Sequence, residues 1–187
     1  MKLSTLFIGM TSVCCMTAFA DQAMQDTAEA KGLIKQFGGT LKGELQTAMK
    51  AGGPVNAIEV CNTKAPGIAR DLSHSSGWDI ARTSLKTRNP TNSPDAWELG
   101  VLEKFEERKA AGENPEAIDY AEVTELNGQK TFRYMKAIPT GEVCLNCHGA
   151  EIKPEVEKKL GMLYPEDKAR GYSLGDIRGA FTLSKPL

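Results

Sequence analysis

Asn127-Gly128 stands between two segments of strand length, residues 120–126 and 129–138. A two-residue connection of this composition favours a type I′ turn, in which both central residues take positive φ and the twist matches a pair of antiparallel strands. The dipeptide therefore argues against an all-helical bundle and against a purely parallel sheet. Residues 178–185, where Phe181 and Leu183 alternate with polar neighbours, read as a further strand of the same sheet.

Helical periodicity accounts for much of the remainder. Between residues 21 and 50, Ala30, Leu33, Ile34, Phe37, Leu41, Leu45, Ala48 and Met49 recur at spacings of three and four. Gly52-Gly53 ends that helix, and Pro54 suits the first turn of another, where its missing N–H costs nothing. Val55, Ile58 and either Cys61 or Asn62 then share a face. Pro66 disfavours helical geometry at Ala65, so this helix is expected to break just after Cys61 and resume over residues 67–72. Cys61 is placed near a helix end, facing inward. Residues 78–85 read as a strand and 86–92 as a loop. Ser93-Pro94 reads as the N-cap and first turn of a helix carrying Trp97, Val101, Leu102 and Phe105 and ending near Gly112. Trp78, Trp97, Phe132 and Tyr134 are expected in the core. The order of elements predicts an α+β fold with an antiparallel sheet flanked by helices.

The N-terminus, MKLSTLFIGMTSVCCMTAFA, has one positive residue, an apolar run and a small-x-small site at Ala18-Phe19-Ala20. That pattern predicts a signal peptide over residues 1–20, with one domain over 21–187 exported to the periplasm. The apolar run is short for a membrane span, which leaves no span after cleavage. Cys14 and Cys15 would leave with the leader. The whole chain has a formal charge of −1, one unit more negative without Lys2, and nothing in it points to nucleic acid or an anionic membrane surface.

Three cysteines remain: Cys61, Cys144 and Cys147. Cys144-Leu145-Asn146-Cys147-His148 is C-x-x-C-H, the attachment signature of c-type haem, in which two thiols add across the vinyl groups and the histidine ligates iron. One motif implies one covalent haem c. A zinc site built from Cys61, Cys144, Cys147 and a histidine is disfavoured, because His148 follows Cys147 directly and leaves only His74. A thioredoxin-like dithiol needs a strand-to-helix junction in a βαβ setting, whereas this pair follows a hairpin. On the second side of iron the residues themselves leave several candidates open: Met24, Met49, Met135, Met162, His74 and Cys61. The basic run Arg82, Lys86 and Arg88 contains no acid and is read either as a clamp for the haem propionates or as a solvated loop.

Several stretches taken together resemble a family of single-haem c-type domains of formerly unknown function. They are Ala57-Ile58-Glu59-Val60-Cys61 with Ala65-Pro66, Arg82-Thr83-Ser84-Leu85-Lys86, Arg88-Asn89-Pro90, Pro94-Asp95-Ala96-Trp97-Glu98, the C-x-x-C-H motif with Gly149, and Gly175-Asp176-Ile177-Arg178-Gly179-Ala180. The resemblance runs over residues 30–184. It implies a PAS-like fold, a covalent haem, and axial ligation by His148 and Cys61.

The function expected on these grounds is that of an exported monohaem cytochrome c with His/Cys ligation, acting in low-potential electron transfer or redox sensing with a periplasmic redox partner. A diatomic-gas sensor is an alternative with the same cofactor, and would require Cys61 to dissociate. A haem enzyme such as a peroxidase would need an open distal position and an acid-base group, for which only His74 and scattered carboxylates are available.

Overall fold

The computed structural model describes residues 14–187; of the expected signal peptide, residues 1–13 and the side chains of 14–20 lie outside the described residues. Helix α1, Cys14–Glu59, is interrupted at Gly52 and Gly53, whose φ/ψ of −163°/21° and 68°/−162° leave helical space just ahead of Pro54, as the glycine pair predicts. A π-turn, Val60–Lys64, joins it to α2, Ala65–Ser76. Strand β1, Asp79–Thr83, is followed by a 3₁₀ turn at Pro90–Asn92 and by α3, Ala96–Ala110. The hairpin β2, Asp119–Leu126, and β3, Gln129–Pro139, leads to α4, Glu142–His148, then α5, Pro154–Leu163, and finally β4, Ile177–Pro186.

The four strands form one antiparallel sheet in the order β1-β4-β3-β2, so the C-terminal strand lies inside the sheet. Leu126 pairs with Gln129 across the turn, and Asn127 and Gly128 take φ of 52° and 80°, the type I′ geometry expected of this dipeptide. Alternate residues of the strands feed two cores. On one face Ala30, Ile34, Phe37 and Leu72 of α1 and α2 pack against Trp78, Ile80, Phe132, Tyr134 and Leu183. On the other, Val101, Leu102 and Phe105 of α3 pack against Ile118, Met135, Ala137, Ile177 and Ala180. Each fully buried side chain of this size contributes roughly 1.5–3 kcal/mol relative to exposure. Trp97 is only partly buried at the margin of the second core. A third cluster seats α5 on the last turns of α1 through Ile58, Val156, Leu160 and Tyr164, with Cys147 packed against it.

Two local expectations are corrected. The chain does not break after Cys61: Ala65 stays helical at φ −59° and ψ −42°, its N–H bonding the carbonyl of Val60 five residues back. The wider π-turn relieves the clash that the Pro66 ring would make with the carbonyl four residues earlier in a regular helix. Helix α3 begins two residues later than Ser93-Pro94 suggests. Asp95 is the N-cap, in a reciprocal box in which its Oδ1 accepts from Glu98 N at 2.8 Å while its own N–H reaches Glu98 Oε2 at 3.0 Å. Ser93 Oγ instead closes the preceding turn on the Pro90 carbonyl at 2.7 Å. Among the described residues no helix is long and apolar enough to cross a membrane.

Candidate functional site

Helix α4 carries Cys144, Cys147 and His148 within its two turns. Its C-terminal end is held by the segment leading into β4: Tyr172 N–H donates to the His148 carbonyl at 2.9 Å and Gly171 N–H to the Gly149 carbonyl at 3.1 Å. Arg88 completes the frame. Its Nε donates to Asp167 Oδ1 at 3.1 Å, and its Nη2 donates to the Ala169 carbonyl at 3.2 Å and to the Cys147 carbonyl. Asp167 further accepts from Ala169 N at 2.9 Å and Arg170 Nε at 3.0 Å. Burial pushes the Asp167 carboxyl up, but these donors outweigh it and hold it below the ordinary carboxylate range.

The same segment orients the imidazole. His148 Nδ1 lies 2.8 Å from the Ala169 carbonyl oxygen, which can only accept, so the proton sits on Nδ1 and Nε2 carries the lone pair. Burial, aided by the nearby Arg178 and Arg88 charges, pushes the imidazole pKa down to about 3, which keeps the ring neutral at neutral pH. A neutral imidazole whose Nδ1–H is tied to a backbone carbonyl is arranged as a metal ligand through Nε2.

Cys61 reaches the site from the π-turn. Burial pushes its thiol up, against the opposing pull of Arg82, Arg88 and Arg178, and Cys144 is close enough to add to the upward push. Burial likewise raises Cys147, which feels Arg88 and Cys61. The structure thus brings one electrostatic neighbourhood together from the π-turn, β1, the following loop, α4 and β4.

The three members of the predicted basic run have different surroundings. Arg88 is buried and spends its donors on Asp167 and two carbonyls. Lys86 is exposed, with Nζ 5.2 Å from the centroid of the Tyr172 ring. Arg82 is half-buried, and burial lowers its pKa. Sequence reasoning missed a fourth cation, Arg178, also half-buried and lowered by burial. Its presence within Gly175–Ala180 of the resemblance was the only signal. Among the described residues neither Arg82 nor Arg178 forms a salt bridge. Half-buried guanidiniums without carboxylate partners suit an anionic ligand group.

The other candidates for iron lie in different surroundings. His74 is exposed and lines an open groove of about 510 Å³ with Trp78, Asp79, Asn127 and Pro186. Met135 is buried in the α3-side core, while Met24 and Met162 are 64% and 71% exposed. Among the described residues no three His, Cys, Asp or Glu side chains are grouped so as to hold a metal ion alone. A zinc cage, which needs three or four such side chains around one ion, finds no set among the described residues.

Helices on both faces of a four-stranded antiparallel sheet, with a C-x-x-C-H helix following β3, define a PAS-like α+β domain. The chain belongs to the Tll0287-like family, whose model matches residues 15–186. Among solved structures it is similar to that of the cyanobacterial heme-protein Tll0287, with a TM-score of 0.66 and 21% identity over 87% of this chain and 95% of that one. At this identity the likeness speaks for the fold. No curated protein sequence matches the chain.

Proposed function

We propose that this chain is an exported protein that binds one haem c and works in low-potential electron transfer or redox sensing. The observation that carries the reading is the His148 geometry: Nδ1 is committed to the Ala169 carbonyl at 2.8 Å, which leaves Nε2 for iron on the helix that bears both motif thiols. The Tll0287 structure is that of a heme-protein, and family membership supports the same cofactor here.

In this reading Cys144 and Cys147 would tether the macrocycle through thioethers, and His148 and Cys61 would hold its iron. Arg82 balances the propionates, while Arg88 fixes the backbone of the motif instead of meeting a propionate. The group supplies a one-electron couple. Cys61 contributes as the thiolate, whose negative charge favours the ferric over the ferrous state and therefore a low potential. The leader over residues 1–20 delivers the protein to the periplasm, where a redox partner exchanges electrons with it.

Haem staining of the full chain after denaturing electrophoresis tests attachment, with colour expected on the band and weakened or lost on Cys144→Ala or Cys147→Ala. Extraction of all colour by acid-acetone would refute covalent binding. Electron paramagnetic resonance of the ferric protein then tests the second ligand: Cys61→Ala should replace the low-spin signal and open a site for carbon monoxide in the reduced protein. An unchanged low-spin signal would remove Cys61 from iron. Carbon monoxide binding by the reduced wild type would instead favour a gas-binding role.

A further inference from the structure

Strand β4 enters the site through an irregularity. Ile138 pairs with Gly179 and Pro139 with Ile177, so Arg178 is the extra residue of a β-bulge. Bulges re-aim a side chain and recur beside functional sites. Gly179 takes φ 153°, and a Cβ there would lie 2.4 Å from the Thr83 carbonyl oxygen. Glycine therefore permits an approach of β4 to the end of β1 that no other residue allows.

The close approach builds a mount for Arg178. Ser84 Oγ donates to the Arg178 carbonyl at 2.8 Å, and Arg178 Nη1 reaches Ser84 Oγ at 3.1 Å and the Lys86 carbonyl at 3.3 Å. Held in this way, Arg178 Nε lies 3.0 Å from Nδ1 and 3.4 Å from Nε2 of His148. Because the Nδ1 proton is already donated to Ala169, the guanidinium is packed against the imidazole and is no donor to an Nδ1 lone pair. Tyr172 closes the arrangement, its ring edge-on to His148 at 6.2 Å between centroids and 5.5 Å from the Arg178 guanidinium carbon. Among the described residues this half-buried cation has no salt-bridge partner to offset its desolvation.

We propose that Arg178 is a positioning residue for His148: the bulge-mounted guanidinium fixes the orientation of the imidazole, and its charge favours the reduced state of the iron that the imidazole would ligate. This rests on the haem reading given above. A positive charge beside the site penalises ferric relative to ferrous iron, so its removal lowers the potential. Lysine keeps the charge but lacks the planar guanidinium whose Nη1 engages Ser84 and the Lys86 carbonyl while Nε lies against the imidazole.

The full chain is purified as wild type, Arg178→Gln, Arg178→Lys and Ser84→Ala, and each is first stained for haem. Arg178→Gln should retain covalent haem while its reduction equilibrium shifts about tenfold toward the ferric form, a midpoint ~59 mV lower. Arg178→Lys should recover most of that shift yet give a broadened low-spin resonance, because the imidazole is no longer held in one orientation. Unchanged potential and resonance in Arg178→Gln would overturn the proposal. If that variant does not fold, Ser84→Ala, which cuts one anchor and keeps the charge, must broaden the resonance; a single unchanged signal overturns the proposal equally. Absence of haem from the wild type would sink the functional reading by itself. The clamp is then read from the carbon-13 ring signals of His148 in the haem-free protein, which should be single and narrow in the wild type and broadened or doubled in Arg178→Gln. Single narrow ring signals in that variant would exclude the positioning role.

Discussion

Replacing Arg88 with methionine is the sharpest test of how the motif helix is held. The Arg88 side chain is 8% exposed and its partner Asp167 2% exposed, so the variant strips a buried carboxylate of its main counter-charge. The Cys147 carbonyl loses its Arg88 donor, while the Ala169 carbonyl keeps the His148 Nδ1 proton. Breaking one side of a buried pair costs about 3–5 kcal/mol. Asp167 retains the Ala169 N–H and Arg170 Nε, at 2.9 and 3.0 Å, which places the expected loss near the lower end, about 3 kcal/mol. For a chain of this size that corresponds to a melting temperature lower by about 6–12 °C. Urea denaturation and thermal melting of the full chain measure it, and the double variant Arg88→Met, Asp167→Asn should recover more than half of the loss because no unpaired charge remains. A loss under about 1 kcal/mol would place the pair with exposed ion pairs and refute the reasoning from burial.

Acid should destabilise the protein through the same carboxylate. A depressed folded-state pKa contributes stability that is fully present above the unfolded value of about 4 and is lost as pH falls through the lower folded value. Asp167→Asn should therefore flatten part of the fall in unfolding free energy below about pH 4; an acid limb identical to wild type would refute the assignment. Asp95→Ala removes both the cap of α3 and the 2.7 Å contact with Arg133, and should cost about 1–2 kcal/mol in urea denaturation, with Ser93→Ala near neutral. His74→Ala should leave the visible spectrum of the haem-loaded protein unchanged, since His74 is exposed in a groove with Trp78 and Asp79; conversion to a high-spin spectrum would make His74 a ligand.

What could be read from the sequence were the features that a few neighbouring residues decide. Asn127-Gly128 specifies its turn because positive φ is cheap only for such residues, and Gly52-Gly53-Pro54 interrupts a helix for equally local steric reasons. The C-x-x-C-H motif is likewise carried by five consecutive residues. Where two local solutions were nearly equal, tertiary contact chose between them. Ser93 and Asp95 both suit an N-cap, and the chain uses Asp95, whose carboxylate also meets Arg133 of β3. The resemblance carried Cys61 to the same expected site as His148, but the way a π-turn brings it there without a break at Pro66 emerged only on folding. The same holds for β4 inside the sheet and for Asp167 and Ala169 behind the motif. Arg178 is the clearest case: its aim depends on a bulge opposite Ile138 and Pro139 and on the fit of Gly179 against Thr83. Such contacts join residues far apart in the chain, and their free energy comes from burial and pairing that exist only once the intervening loops have closed, so no periodicity or spacing near Arg178 encodes them.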